Sequence, residues 1–295
     1  MADRLKGCGT ALVTPFTKDG ALDEPALRKL VDWQIAEGIH FLVPCGSTGE
    51  AVTMTPSEHR RVVEITVEQA KGRVPIVAGA GSNDTAKAVA MSKEMKAAGA
   101  THLLHVSPMY NKPPQRGIIA HFERIADATD LPVIVYNVPG RTGSNIEAKT
   151  TLALAKIKNI AAVKEASGNL GQITEILRDR PDHFVVLSGD DEMTLPVMTA
   201  GGDGVISVIS NATPKAMAQL CNAAAKGDFA GARKLHFQLL AWMRAAFIES
   251  NPIPVKAAMA MLGKMENRLR LPLLPLDEKH TETVRSALRA AGALS

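Results

Sequence analysis

The chain has 295 residues, of which 46% are hydrophobic and 22% are charged, enough for one large α/β domain with an appendage or for two ordinary domains. Its 34 Lys and Arg residues exceed its 30 Asp and Glu residues by only four, and no long basic run occurs. Nucleic-acid binding is therefore not expected.

The cysteines and the N-terminus favour a cytoplasmic protein. There are three cysteines without a CxxC pair, so neither a disulfide framework nor a zinc knuckle is suggested. The N-terminal sequence MADRLKGCGT lacks the apolar region of a signal peptide. No apolar stretch is long enough to span a membrane, so no membrane partner is expected.

Short apolar runs alternate with amphipathic stretches along most of the chain. The first run, residues 10–15, precedes a helix predicted between Asp23, its N-cap, and Gly38. The second run, residues 41–44, precedes a helix that is predicted to begin with the capping box at Thr55 and to reach about Ala70. Six more predicted strands follow, each before a helical pattern: 76–78, 102–106, 133–136, 160–164, 184–187 and 204–207.

This alternation predicts eight strand–helix units by about residue 226. Because the strands are continuously apolar, they indicate a parallel sheet that is buried on both faces. Eight units in this length favour an α/β fold of the (β/α)₈ TIM barrel type, and a doubly wound sheet is the alternative. Residues 229–249, 254–264 and 278–290 are predicted to be helices. We therefore expect a barrel catalytic domain over residues 1–226 and a C-terminal helical extension over residues 227–295.

Lys164 ends one of the apolar strands, where the active site of a parallel barrel lies. Burial lowers the pKa of an amine and leaves part of it neutral and nucleophilic, as Schiff-base chemistry requires. The alternative is a lysine that pairs with Glu165 or another carboxylate, or that extends out of the barrel mouth.

Other polar side chains follow strands on the same predicted face. Tyr110 and Tyr136, the two tyrosines of the chain, could relay protons or could instead pack against the fold. The Gly-Ser-Thr-Gly loop at 46–49 could bind a carboxylate or could be a simple turn. Arg141 could hold a carboxylate through two hydrogen bonds or could lie on the surface.

The histidines and glycines do not suggest a metal or a nucleotide. The eight histidines form no ligand-spaced set with carboxylates, and His102 and His105 fall on opposite faces of a strand. The glycine clusters lack the complete GxGxxG and P-loop patterns. We therefore expect no metal and no cofactor.

Five motifs occur in order near predicted strand ends: GSTGE at 46–50, SPMYNKP at 107–113, YNVPGRTG at 136–143, VKEASGNL at 163–170 and GDGVISV at 202–208. Together with NPIPVKAAM at 251–259, they resemble the dihydrodipicolinate synthase / N-acetylneuraminate lyase superfamily over essentially the whole chain.

The resemblance implies a pyruvate-dependent lyase in which Lys164 forms a covalent imine with pyruvate. Tyr136 would donate and accept protons beside the imine, and Ser47 and Tyr110 would complete a hydroxyl relay. In the superfamily the tyrosine at the position of Tyr110 comes from the neighbouring subunit. A homodimer, and often a dimer of dimers, is therefore expected.

The resemblance also implies a substrate pocket. Thr48 and the backbone at Ile206 would bind the pyruvate carboxylate, and Gly189 would line the pocket. Arg141 favours the synthase branch, in which an arginine holds the carboxylate of L-aspartate-4-semialdehyde during lysine biosynthesis. Ser47 stands where synthases usually carry threonine, and it favours the alternative, a lyase-like sugar-acid aldolase. A catalytically silent ligand-binding barrel is disfavoured because none of the implied catalytic residues is missing.

Feedback inhibition by lysine is expected to be weak or absent. Lysine-inhibited relatives bind lysine through a Ser, a His pair, an Asn, a Glu and a Tyr at the dimer interface. The matching positions here are Ala51, Pro56, His59, Asn83, Lys87 and Met109. Lys87 would repel a cationic ligand where those relatives carry a carboxylate.

Overall fold

Eight parallel strands form one sheet in the computed structural model, which describes residues 5–294. The strands are β1 (Gly7–Ala11), β2 (Phe41–Val43), β3 (Val77–Gly79), β4 (His102–Val106), β5 (Val133–Asn137), β6 (Ile160–Glu165), β7 (Val185–Ser188) and β8 (Gly204–Ser207). Their order in the sheet is β2-β1-β8-β7-β6-β5-β4-β3.

The two ends of the sheet meet between β2 and β3. The amide of Leu42 donates to the carbonyl of Pro75 at 3.0 Å, and the amide of Gly79 donates to the carbonyl of Pro44 at 3.0 Å. These bonds close the sheet into a barrel. The predicted (β/α)₈ TIM barrel is therefore confirmed against the doubly wound sheet.

Helices cover the outside of the barrel and continue beyond it. They are α1 (Glu24–Ala36), α2 (Pro56–Ala70), α3 (Thr85–Ala97), α4 (Gln115–Asp127), α5 (Pro139–Thr142), α6 (Ala148–Leu154), α7 (Leu170–Asp179), α8 (Thr194–Thr199), α9 (Pro214–Ala225), α10 (Phe229–Ala245), α11 (Ile253–Met261) and α12 (Glu278–Ala290). The predicted capping box of α2 is present, with Thr55 Oγ1 accepting from the Glu58 amide and Glu58 accepting from the Thr55 amide.

The apolar pattern predicts the first strand at a later position in the chain than the structure shows. Residues 10–15 were expected, whereas β1 spans Gly7–Ala11. Gly9 has no side chain to contribute to an apolar pattern. The ring of Phe41 occupies the space, because a Cβ at Gly9 would lie 2.0 Å from that ring. Close packing between strands thus removed the side chain on which the sequence pattern depends.

Alternation along β6 decides which side chain enters the barrel. Ala162 belongs to the apolar cluster that fills the barrel interior, whereas Val163 belongs to the cluster under the outer helices. Because successive strand residues point to opposite faces, Lys164 points inward and Glu165 points outward. Lys164 stands beside Tyr136 of β5 in the strand register.

The C-terminal helices pack directly on the barrel. Trp242 of α10 is fully buried, and its indole nitrogen donates to the carbonyl of Ile209 at 3.3 Å. Helix α10 ends at Ala245 rather than at residue 249, and α11 spans Ile253–Met261 rather than 254–264. The division between residues 226 and 227 into two domains stays a prediction.

Two predictions concern a membrane-spanning segment and a signal peptide. Within residues 5–294, no helix is long and apolar enough to cross a membrane. No signal peptide is predicted at the N-terminus. The first four residues of that segment, 1–4, lie outside the described residues.

Candidate active site

A cavity of about 270 Å³ opens at the carboxyl ends of the strands. It brings together six of the residues that the sequence singles out: Ser47, Thr48, Tyr136, Arg141, Lys164 and Gly189. These residues come from strands, loops and a short helix that are far apart in the chain. The barrel places them together because parallel strands end on one face.

Lys164 is buried, with 5% of its surface exposed, and its Nζ lies 4.2 Å from the ring centroid of Tyr136. No carboxylate of the described residues forms an ion pair with it. Burial lowers the pKa of Lys164 from 10.5 to about 7; the negative charge of Asp191 opposes this change, and the positive charge of Arg141 adds to it. A large fraction of the amine is therefore neutral near pH 7.

Glu165 is not the partner of Lys164. Its carboxylate lies on the outer side of β6, where it accepts hydrogen bonds from Asn137 Nδ2 at 3.0 Å and from the Ser167 amide at 2.7 Å. Gln172 Nε2 donates to the same carboxylate at 3.2 Å. The hypothesis of a structural Lys164–Glu165 pair is wrong, because adjacent strand residues face opposite sides.

Tyr136 supplies a protonated hydroxyl beside Lys164. Burial raises the pKa of its phenol to about 12, with Arg141 opposing and Asp190 reinforcing the increase. The Tyr136 hydroxyl has no hydrogen-bond partner among residues 5–294. It can therefore donate a proton to a group bound at Lys164 and take one back.

The loop at 46–49 is both a turn and part of the site. The Gly49 amide donates to the Gly46 carbonyl at 3.1 Å, and the Glu50 amide donates to the Ser47 carbonyl at 3.1 Å. Ser47 is exposed and Thr48 is buried, and both line the cavity. The turn thus presents two hydroxyls to the same space.

Asn251 of the C-terminal extension reaches into this site. Its Nδ2 donates to Thr48 Oγ1 at 2.9 Å, and its backbone carbonyl accepts from Arg141 Nη2 at 3.2 Å. Arg141 is exposed and lines the cavity, so its other guanidinium hydrogens remain available to an anion. Sequence reasoning missed Asn251, although it opens the quoted NPIPVKAAM motif.

A buried ion pair fastens the same loop to the extension. Lys256 Nζ lies 2.5 Å from Glu50 Oε1, and both side chains are almost completely buried. Glu50 also accepts from the Arg270 amide at 3.0 Å, and Lys256 donates to the Arg268 carbonyl at 2.7 Å. The signal that sequence reasoning overlooked is a lysine inside an otherwise apolar helical stretch.

Gly189 lies against the candidate nucleophile. A Cβ at this position would lie 2.8 Å from Ala166 Cβ and 3.0 Å from Lys164 Cγ. A side chain here would therefore push on Lys164. This contact gives a physical reason for glycine at the end of β7.

Two of the candidate residues do not line the cavity of the single chain. Ile206 is fully buried in β8, and Val208, two residues later, lines the cavity instead. Tyr110 is 90% exposed and adopts a left-handed backbone conformation, with φ of 72°. Its phenol projects away from the protein surface rather than into the site.

Only some of the positions compared with a lysine site line the cavity. Ala51 and Met109 line it, whereas Pro56 and Lys87 are exposed. His59 is buried, and its Nε2 bonds to the Gly79 carbonyl at 2.7 Å. That histidine is therefore already engaged by the fold.

Metal-ligating side chains are dispersed in the part of the chain that the structure describes. No three or more His, Cys, Asp or Glu residues come together there as a metal site. The polar side chains that line the cavity include hydroxyls, an amide, a guanidinium, an amine and the carboxylate of Asp190. This set suits covalent chemistry on an organic acid.

Comparisons with known proteins agree on one family. The Dihydrodipicolinate synthetase family matches residues 4–291. The chain is 53% identical to 4-hydroxy-tetrahydrodipicolinate synthase of Koribacter versatilis, covering 99% of this chain and 97% of that protein. A chloride-inhibited dihydrodipicolinate synthase of Acinetobacter baumannii, solved with pyruvate, has a TM-score of 0.96 at 42% identity over 98% and 99% of the two chains. A monomeric dihydrodipicolinate synthase variant has a TM-score of 0.96 at 41% identity over 98% of each chain.

Proposed function

This chain belongs to the Dihydrodipicolinate synthetase family, and we propose that it condenses pyruvate with L-aspartate-4-semialdehyde through an imine on Lys164. It is thus a 4-hydroxy-tetrahydrodipicolinate synthase acting in the diaminopimelate route to lysine. The observation that carries the proposal is the buried amine of Lys164, unpaired by any described carboxylate, at the end of a cavity lined by hydroxyls and a guanidinium.

The chemistry begins with the neutral amine. Lys164 Nζ attacks the ketone carbon of pyruvate, and loss of water leaves an iminium ion. The iminium withdraws electrons and acidifies the adjacent methyl group, which loses a proton to give an enamine. The enamine carbon then attacks the aldehyde carbon, forming the new carbon–carbon bond while a proton passes to the aldehyde oxygen and the lysine nitrogen becomes an iminium again. The amino group of the former semialdehyde adds to the iminium carbon and the Lys164 amine leaves, which closes the ring of the product and frees the lysine. No metal or other cofactor is needed, since the iminium itself accepts the electrons.

The hydroxyls serve proton transfer. Tyr136, which is protonated at neutral pH, delivers a proton to the departing water, takes a proton back from the methyl group as the enamine forms, and then delivers it to the aldehyde oxygen. Ser47, which is exposed in the cavity, connects this hydroxyl to the second substrate. Tyr110 would complete the relay from a partner subunit.

Two anion sites orient the substrates. The Thr48 hydroxyl and the backbone near Ile206 bind the carboxylate of pyruvate, while Gly189 leaves room beside Lys164. Arg141 binds the carboxylate of the semialdehyde through paired hydrogen bonds. Separate sites for two acids hold the enamine and the aldehyde in one cavity.

A second candidate activity is cleavage or synthesis of a sugar acid by the same imine chemistry. Ser47 supports it, because its hydroxyl is exposed in the cavity without the methyl group of a threonine. Arg141 opposes it, because a guanidinium at the mouth suits a short aldehyde that carries a carboxylate better than a neutral polyol.

Borohydride reduction in the presence of pyruvate tests the imine. The expected product is a single covalent adduct that peptide mass mapping assigns to Lys164, and Lys164→Ala should give none. An adduct on a different lysine, or no adduct, would refute the mechanism. Turnover with L-aspartate-4-semialdehyde but not with N-acetylmannosamine would then separate the first activity from the second.

A homo-oligomer follows from the position of Tyr110. Its phenol is 90% exposed, although the proposed relay needs it beside Tyr136, so a second copy of the chain would bring it into the site. A dimer, with pairing of dimers, is proposed for a cytoplasmic enzyme. Sedimentation at micromolar concentration tests this assembly, and a fully active monomer would exclude it.

Lysine should inhibit the enzyme weakly or not at all. Lys87 is exposed on the surface where the inhibited relatives place a carboxylate, and Ala51 and Met109 supply no polar group. The rate should remain unchanged at micromolar lysine, and inhibition at that concentration would contradict this reasoning.

A further inference from the structure

Asn251 connects the two groups that the proposed function assigns to substrate carboxylates. It lies between α10 and α11, is 6% exposed and lines the cavity. Through its side chain it contacts Thr48, and through its backbone it contacts Arg141, so one residue of the C-terminal extension touches both anion sites.

The direction of the hydrogen bond between Asn251 and Thr48 determines whether the Thr48 hydroxyl can donate to a ligand. A threonine hydroxyl has one hydrogen to donate. Because Asn251 Nδ2 donates to Thr48 Oγ1 at 2.9 Å, that oxygen is the acceptor, and its own hydrogen must point elsewhere. Thr48 Oγ1 donates to no other group among residues 5–294, and Thr48 lines the cavity. The hydrogen is thus left for a ligand.

The opposite orientation of the amide would abolish this property. If the Asn251 side-chain oxygen faced Thr48, the threonine would donate its hydrogen to Asn251 and offer only lone pairs to the cavity. Lone pairs repel a carboxylate, whereas a hydroxyl hydrogen binds it. A neutral amide with its nitrogen toward Thr48 is therefore the arrangement that makes Thr48 an anion receptor.

The geometry points to Asn251 as a positioning residue for the keto-acid carboxylate, acting by turning the Thr48 hydroxyl into a donor toward the cavity. This inference rests on the proposed function, because it assumes that a 2-keto acid binds beside Lys164. Asn251 itself transfers no proton and forms no bond to the reacting carbon.

The test measures the pyruvate concentration that gives half-maximal borohydride trapping on Lys164, followed by intact mass. This readout requires no second substrate. Asn251→Ala should raise that concentration roughly two- to ten-fold, the range for losing one hydrogen bond. The plateau of trapping at saturating pyruvate should remain near that of the wild type. Asn251→Asp should raise the half-saturating concentration at least as much as Thr48→Val, because aspartate accepts the threonine hydrogen and repels the substrate.

The double variant separates positioning from a general structural effect. In the Thr48→Val background, Asn251→Ala should change half-saturation by less than about two-fold, because its partner hydroxyl is already absent. Asn159→Ala is a matched control. It removes a half-buried amide, in the loop before β6, that donates to the carbonyls of Ala126 in α4 and of Thr129 in the loop before β5, and it should leave pyruvate binding unchanged.

Three outcomes would overturn the inference. They are an Asn251→Ala variant with wild-type half-saturation, additive effects in the double variant, and an Asn251→Asp variant that binds pyruvate like the wild type. If Asn251→Ala fails to fold by circular dichroism, the Asn251→Asp result decides alone, because aspartate preserves the shape of the side chain. If wild-type protein is not trapped by pyruvate at all, the proposed function fails together with this inference, whereas trapping that is insensitive to Asn251 removes the inference alone.

Discussion

The amine of Lys164 should titrate near neutral pH. Its pKa is lowered from 10.5 to about 7, mainly because it is buried. At about pH 7.5, roughly three quarters of such an amine is neutral, compared with about one part in a thousand for an ordinary lysine. The difference corresponds to about 5 kcal/mol by which the site disfavours the ammonium form.

The assay is the initial rate of borohydride-trapped adduct formation at saturating pyruvate, followed by mass spectrometry between about pH 5.5 and 10. Since the neutral amine is the nucleophile, the rate should rise with pH, pass its midpoint near pH 7 and then level off. An ordinary lysine would show a ten-fold increase per pH unit up to about pH 10. Such a continuing increase would refute the argument from burial.

Two charge-changing variants should move this midpoint in opposite directions. Arg141→Gln should raise it, because the arginine charge lowers the pKa of Lys164. Asp191→Asn should lower it, because the aspartate charge raises that pKa. Asparagine keeps an oxygen that can accept hydrogen bonds from the amides of Val208 and Ile209, as the Asp191 carboxylate does. Movement of both midpoints in the same direction would show that the electrostatic account is mistaken.

Three further predictions concern the partner subunit, the space around the amine and the buried ion pair. Mixing inactive Tyr110→Phe and Lys164→Ala chains should restore about one quarter of the wild-type activity, because half of the random dimers contain one intact site; no recovery after subunit exchange would exclude a shared tyrosine. Gly189→Ala should slow imine formation by roughly ten-fold or more, because a Cβ would lie 3.0 Å from Lys164 Cγ; a wild-type trapping rate would contradict this. Lys256→Ala should lower the free energy of unfolding in urea by about 3–5 kcal/mol, because it leaves the buried carboxylate of Glu50 without its cation. Lys279→Ala, which breaks an exposed ion pair, should have little effect. Equal losses in these two lysine variants would disprove the role of burial.

Local patterns in the sequence predicted several elements closely. Helix α12 spans the predicted residues 278–290, and the capping box of α2 lies at Thr55 as expected. These features depend on residues within one or two helical turns, so their signals are contained in short windows. The start of β1 failed for the opposite reason, because Gly9 is determined by its packing against the ring of Phe41, 32 residues away.

The candidate site likewise contains residues that local sequence patterns identified and residues that they did not. Lys164 was recognisable because a lysine that ends an apolar strand is a local anomaly, and the family motifs then supported its role. Asn251 was not recognised as a site residue, because its importance comes from contacts with Thr48 and Arg141, 203 and 110 positions away. Such contacts leave no periodic or compositional signal in one sequence.

The amino-acid sequence by itself determined the number and order of strand–helix units, the strand end that carries Lys164 and the family motifs around it. The tertiary structure decided that Lys164 faces inward without a carboxylate partner, that Glu165 is satisfied on the other side of the sheet, and that Tyr110 points out of the single chain. The physical reason is that strand order follows from short-range hydrophobic patterning, whereas the pKa and the partners of a buried group depend on atoms that only the closed barrel and its C-terminal extension bring together.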